Sequence, residues 1–452
     1  MKKKLTVQEY VVVASMLFGL FFGAGNLIFP VHMGQMAGSQ LVPATLGFLI
    51  TGVGLPLLSV AALGISKSEG LFDLSRKVSR PYAYFFTCLL YLTIGPFFAI
   101  PRCATTAFTV GIEQAVPQAA EQLRLWLLVF SAVFFAAALL FSLFPGKILT
   151  WVGKILNPFF LLFLGILIIV ALVKPSAAIS AVAPEGAYAS QAFSTGFLEG
   201  YNTMDVLAGL AFGIIVVQVI RELGVTDADA VASSTVKAGV FSSLLMALIY
   251  LAVTVVGAQS RGLFETSENG GIALAQIARH YLGSAGLVIL AATVTLACLK
   301  TSVGLITSCA ETFCGMFPKG PKYRAWAVLF TLISFALSNF GLSTIISYSV
   351  PVLMFLYPLA IALVLLALFG RFYRHDRAVY ISVIVCTLLA ALYDLICALP
   401  EGLYDALHAD AVQAFGLRVL PFAGVGLGWI CPLALGFVIG LAVHLMQKFR
   451  TK

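Results

Sequence analysis

The chain has 452 residues, of which 61% are hydrophobic and only 10% charged, with a mean hydropathy of +1.02. Soluble domains carry about 25% charged residues and a bilayer span takes ~20 apolar ones, so a soluble globular protein is excluded and the fold class is all-α polytopic membrane protein. The net charge of +8 does not point to nucleic acid, because the basic residues stand in short runs between apolar segments.

The first apolar run, Val7 to Pro30, follows Lys2, Lys3 and Lys4. It exceeds a ~7–15-residue signal core and no small-residue cleavage site follows it, so it is read as a retained span 1, residues 7–31. Near its middle, Phe22-Gly23-Ala24-Gly25-Asn26-Leu27-Ile28-Phe29-Pro30 places two glycines and an asparagine in apolar surroundings. Spanning backbone must satisfy its own hydrogen bonds, so such a cluster is expected where the chain lines a cavity or a site. Spans 2 to 5 follow at 41–65, 81–110, 124–144 and 148–173. Span 6, residues 190–220, is interrupted by Glu199-Gly200-Tyr201-Asn202-Thr203-Met204-Asp205, with Gly209 and Gly213 beyond. Spans 7 to 12 are 236–258, 284–316, 325–342, 344–370, 378–400 and 421–447.

Lysine and arginine sort consistently with these twelve spans, since cytoplasmic loops hold the excess. With both termini cytoplasmic, 20 of the 27 fall inside, six outside (Arg102, Arg124, Lys174, Arg261, Arg279, Arg418), and Lys300 lies within a span. The interrupted spans 1 and 6 open two five-span blocks, 1–175 and 185–371, and 378–452 supplies two further helices. An odd number of spans per block makes the second block enter from the opposite face. Interruptions at matching positions of two halves are the best sequence pointer to a secondary transporter's binding site.

The residues also carry a resemblance. The Gly23 to Pro30 run, Gly200-Tyr201-Asn202-Thr203-Met204-Asp205 leading to Ala211-Phe212-Gly213, and Ser349-Val350-Pro351-Val352-Leu353 followed by Tyr357-Pro358 resemble, in order and spacing from span 1 to span 12, the bacterial branched-chain amino acid transport system II carriers. That resemblance implies a LeuT-type 5+5 inverted repeat plus two C-terminal helices in the bacterial cytoplasmic (inner) membrane. It also implies import of leucine, isoleucine and valine together with sodium or protons.

A zwitterionic aliphatic substrate needs donors for its carboxylate, acceptors for its ammonium and a dry pocket. Substrate contacts are therefore expected at Gly23, Ala24, Gly25 and Asn26, where amides at a helix start meet the favourable end of the helix dipole, and at Tyr201, Asn202, Thr203 and Asp205. Asp205 could meet the ammonium or carry a proton; a cap on the restarted helix needs the same residue type. Phenylalanines and tyrosines of spans 3, 6 and 10 are available for the pocket. In span 8, Cys298, Thr301 and Ser302 share one side at 100° per residue, and in the LeuT-type pattern a Thr-Ser pair there completes a sodium site; the alternative is ordinary hydroxyl bonding between helices.

Lys300, pointing about 150° from that pair, is expected either to replace a sodium ion with its ammonium, making the carrier proton-coupled or sodium-independent, or to pair with an intramembrane carboxylate among Glu199, Asp205, Glu311 and Asp394, with Asp205 the partner in a possible charge relay and Glu311 and Asp394 placed near the interfaces. No cofactor, catalytic group or metal beyond a coupling sodium is expected, and nothing calls for an obligate protein partner. A divalent metal is the alternative cargo, although the first interruption offers no carboxylate for one.

Overall fold

The computed structural model describes residues 4–66, 68, 70–113, 116, 119–143 and 157–450. The beginning of expected span 5, with Lys147 and Lys154, lies outside them. Span 1 is two helices, α1 (Val7–Phe21) and α2 (Gly25–Ala37), separated at residues 22–24. A reciprocal capping box starts α1: the Thr6 hydroxyl accepts from the Glu9 amide and the Glu9 carboxylate from the Thr6 amide. α2 runs six residues past the expected end of span 1 before a turn at Gly38–Gln40, where Gly38 has φ +47° and lies against the Val182 and Ala183 carbonyls.

Span 2 comprises α3 (Leu41–Leu49) and α4 (Leu55–Ile65) around a π turn at Ile50–Gly54. After the short α5 (Leu71–Arg76), span 3 is α6 (Arg80–Leu92) and α7 (Ala99–Gly111) around a second π turn at Thr93–Phe97, where Gly95-Pro96 breaks the helical path. Spans 4 and 5 are α8 (Ala120–Leu143) and α9 (Asn157–Val173). Span 6 is again two helices, α10 (Tyr188–Glu199) and α11 (Asp205–Glu222), joined by a 3-10 turn at Gly200–Thr203. Then come α12 (Ala228–Ser260) and α13 (Gly270–Met316). Gly283, at φ +65°, splits a leading arm from the expected span 8.

The last spans are α14 (Tyr323–Ser338), α15 (Leu342–Phe369) and α16 (Arg377–Cys397). Span 12 departs from expectation. Residues 421–429 form a turn, two short helices (α17, Glu401–Ala406; α18, Asp410–Val419) precede it, and α19 begins only at Ile430. Gly424, Gly426 and Gly428 disfavour helix there, which hydropathy alone did not weigh. Eight described helices are long and apolar enough to cross a bilayer; with the broken spans and two shorter apolar helices, the order is compatible with twelve.

Packing follows membrane rules, in which small residues let backbones approach because lipid offers no hydrophobic drive between helices. α2 lies along α12, where Cβ atoms on Gly34 and Gly257 would run into Thr254 and Val31 backbone. α10 lies along α3 and α11 along α4, while α7 lies along α13 and α16 along α19. The two broken spans are thereby held side by side in the protein's centre. Residues such as Leu125, Val129 and Val133 on α8 are exposed and suited to lipid.

Candidate functional site

In the first break, Phe22 caps α1, and Gly23 and Ala24 carry the chain across to α2. The Gly23 amide donates to Asn26 Oδ1 at 2.8 Å, so the asparagine side chain takes up one donor stranded by the break. The Leu27 and Ile28 amides donate to the Ala24 carbonyl at 3.3 and 3.4 Å, which leaves those of Gly25 and Asn26 without an acceptor inside their own helix, and the positive end of its dipole faces the gap.

In the second break, Met204 takes the left-handed conformation (φ 62°, ψ 14°) and the chain restarts as helix at Asp205. Gly200 admits no side chain: a Cβ would lie 2.8 Å from Thr51 Cβ and 3.1 Å from the Phe48 carbonyl. The π turn that carries Thr51 also presents its hydroxyl to the Phe197 carbonyl at 2.7 Å, fastening span 2 to the end of α10.

One side-chain cluster joins the two breaks. Asn26 Nδ2 donates to Asp205 Oδ2 at 2.6 Å, the Tyr250 hydroxyl of α12 donates to the same oxygen at 3.1 Å, and Asn26 also meets Tyr250. All three residues are buried. The capping alternative for Asp205 is therefore not what forms: its carboxylate turns across to span 1 and α12, although its place in the first turn still suits the dipole.

Between the breaks lies a cavity of about 40 Å³, room for a few waters. Gly23, Ala24, Gly25, Asn26, Thr203 and Asp205 line it, as does Thr301. Tyr201 and Asn202 do not. Tyr201 stacks on Tyr357 of α15 with ring centroids 4.0 Å apart, and Asn202 contributes its backbone carbonyl to a neighbour of the cavity. The apolar wall comes from Phe21, Ile94, Met204, Phe212 and Leu305. Of the phenylalanines and tyrosines expected from spans 3, 6 and 10, Phe212 of span 6 lines the cavity; span 3 contributes Ile94, Ala99, Arg102 and Cys103 instead, span 10 stands behind the break, and spans 1 and 8 add Phe21 and Leu305.

On α13, Thr301 lies against the first break, its methyl 3.6 Å from a Cβ placed on Gly23, while its hydroxyl donates to Ala297 O at 3.1 Å. Ser302 and Cys298 are buried, and the Cys103 thiol of α7 lies beside both. The Ser302 hydroxyl has no hydrogen-bond partner among the described residues. Lys300 is half-buried on α13 and does not face the cavity. The hydrogen bonds of Asp205 go to Asn26 and Tyr250, so the relay pair with Lys300 is not formed here. Asp394, expected near an interface, is buried at 2% exposure in the last turn of α16.

Sequence reasoning missed Arg102 and Tyr250. Arg102 was counted with the outer loops; the structure buries it at 4% exposure on α7, lining the cavity. Its Nη1 donates to the Asn202 carbonyl at 2.6 Å, and its guanidinium stands 5.1 Å from the centre of the Phe29 ring. A cation in a span costs ~2.5–3.5 kcal/mol on insertion scales; here the carbonyl, the ring face and the Asp205 charge offset that cost. The signal was available, since Arg102 falls inside the expected 81–110 span, but charge sorting treats every arginine as a loop marker. Tyr250 had no signal, because only tertiary packing brings α12 to Asp205.

A family model described as branched-chain amino acid transport protein matches residues 6–447. The branched-chain amino acid permease BrnQ of Lactobacillus delbrueckii subsp. lactis is 53% identical over 450 residues, covering 100% of both chains. BrnQ of Bacillus subtilis is 39% identical with the same coverage. Among solved structures, the inward-facing conformation of Mhp1 superposes with a TM-score of 0.63 at 16% identity over 98% of this chain and 91% of that one. MhsT in complex with L-phenylalanine gives 0.57 at 16% identity over 98% and 99%. These two likenesses speak to the fold, which is of the LeuT type.

Proposed function

The chain belongs to the branched-chain amino acid transport protein family, and from that premise we propose that it imports leucine, isoleucine and valine across the bacterial cytoplasmic membrane by symport with a cation, sodium or proton. It is a transporter rather than an enzyme. The observation that carries this reading is the small cavity between the two breaks, where a buried carboxylate, the start of α2 and an apolar wall converge. The α2 amides present donors to a carboxylate, Asp205 offers charge to an ammonium, and Phe21, Ile94, Phe212 and Leu305 suit a branched side chain. At about 40 Å³ the cavity is too small to admit leucine without movement. That supports alternating access, in which the two broken spans and their partners rock against a scaffold and open to one side and then the other. The lysine and arginine distribution supports a cytoplasmic location for both termini.

The test is uptake of radiolabelled leucine into proteoliposomes holding the purified protein, with sodium and proton gradients imposed separately and unlabelled amino acids as competitors. Uptake under one gradient, competed by isoleucine and valine, is expected. No leucine uptake under either gradient would sink the assignment.

A further inference from the structure

Arg102 is the one feature of the cavity that neither the helix-break pattern nor the resemblance accounts for. The ordinary device at such a break is a set of backbone amides and a helix dipole, both neutral. Here a full positive charge is added. α7 starts just after the Gly95-Pro96 kink, and its register aims Arg102 at the cavity while Cys103 turns toward Cys298 and Ser302.

Three observations bear on what that charge does. First, Nη2 sits over the start of α2, 2.9 Å from where a Cβ on Gly25 would be, so the guanidinium and the leading amides of α2 face the same space. Second, the single hydrogen bond described for the Arg102 side chain is the one to the Asn202 carbonyl. A guanidinium has five N–H groups in a planar fork that matches a carboxylate bidentately, and the fork keeps donors on the cavity side. Third, Arg102 and Asp205 both line the cavity, yet the ion pairs among the described residues join Arg261 to Glu185, Arg371 to Asp229 and His444 to Asp376. The guanidinium and the Asp205 carboxyl thus border one small cavity without pairing directly. A guanidinium and a carboxyl that share a buried cavity without a direct pair are only partly compensated, and a molecule bearing both an ammonium and a carboxylate on one carbon completes the two together.

We propose that Arg102 is the charged anchor for the substrate's α-carboxylate, gripping it together with the α2 amides while Asp205 faces the ammonium. The inference rests on the amino acid transport reading and adds to it a selectivity: the site takes α-amino acids and rejects the corresponding amides and amines. Because Arg102 holds the Asn202 carbonyl, carboxylate binding on α7 is also felt directly at the span 6 break.

The experiment is equilibrium binding to the purified full-length protein in nanodiscs, measured by displacement of radiolabelled leucine and by thermal shift, with leucine, leucinamide and isopentylamine as probes. Wild type is expected to bind leucine about 100-fold more tightly than leucinamide, a typical size for a buried charge-assisted bidentate contact. In Arg102→Gln, leucine affinity is expected to fall about 100-fold while leucinamide affinity changes less than about threefold, so the preference collapses. Arg102→Lys keeps part of the preference.

A guanidinium that served only to hold Asn202 would weaken leucine and leucinamide alike, and that result overturns the proposal. Should Arg102→Gln fail to fold, the wild type and Arg102→Lys still decide: equal affinity of wild type for leucine and leucinamide overturns it. Wild type that binds none of leucine, isoleucine or valine overturns the transport reading itself, a result distinct from lost discrimination.

Discussion

Exchanging Asn26 for aspartate changes almost no volume and should be more damaging than removing the side chain. Asn26 Nδ2 lies 2.6 Å from Asp205 Oδ2 and also meets Tyr250, while its Oδ1 holds the Gly23 amide at 2.8 Å. Asn26→Ala removes these bonds but leaves Asp205 the Tyr250 hydroxyl at 3.1 Å. At about 1 kcal/mol for each neutral hydrogen bond and ~1.5–3 for one to a charged group, the three bonds lost come to about 4 kcal/mol. Asn26→Asp keeps the bond to Gly23 but sets two carboxylates face to face. Near 3 Å, at an effective dielectric of ~20, that repulsion is on the order of 5 kcal/mol before relaxation, and it adds to the loss of the Nδ2 bond to Asp205.

The exchanged pair, Asn26→Asp with Asp205→Asn, restores one donor facing one acceptor with the roles reversed. Thermal unfolding of the four purified proteins in one detergent should therefore rank wild type highest, then the exchanged pair, with Asn26→Asp lowest. The favourable coupling between the two substitutions should exceed about 2 kcal/mol. Strictly additive losses, or an Asn26→Asp protein as stable as wild type, would refute the claim that this contact ties the two breaks together.

Gly200→Ala should lower both stability and uptake, by the ~1–3 kcal/mol typical of overpacking, because its Cβ meets Thr51; Thr51→Gly should recover part of that, as thermal unfolding of the pair would reveal. If Thr301 and Ser302 hold a sodium ion, Thr301→Ala with Ser302→Ala should raise the sodium concentration for half-maximal leucine uptake at least tenfold, whereas unchanged sodium dependence removes α13 from ion binding. Outside the membrane, Asp376 caps α16 by accepting from the Ala378 amide and meets His444 Nδ1 at 2.5 Å. The His444 contact, together with the amide, holds its carboxyl below the ordinary 3.8. The stability it adds is complete above that value and is lost as pH falls below it. Asp376→Asn should therefore cost stability at neutral pH, and the difference from wild type should narrow on acidification.

The membrane class, the order of spans and the two breaks were all legible in the sequence, for one reason. In lipid, a glycine-rich or polar interruption of an apolar run has few structural uses other than to line a cavity, so Gly23 to Asn26 and Gly200 to Asp205 announce themselves. Hydropathy served less well where local propensity competes with it, as at the glycines of 424–428, where α19 waits until Ile430.

What only the tertiary structure decided is which side chains meet. Asp205 could serve as a cap or as a site carboxylate until Asn26 and Tyr250, 179 residues before it and 45 after it, were seen at its oxygen. Arg102 read as a loop charge because a lone sequence weighs an arginine by the cost of burying it. That cost depends on the Asn202 carbonyl, the Phe29 ring and the Asp205 carboxylate, which belong to other spans. Hydrophobic burial in a bilayer is a property of each segment and can be read along the chain, whereas the partners that make a buried charge tolerable come from different segments and exist only once the helices have packed.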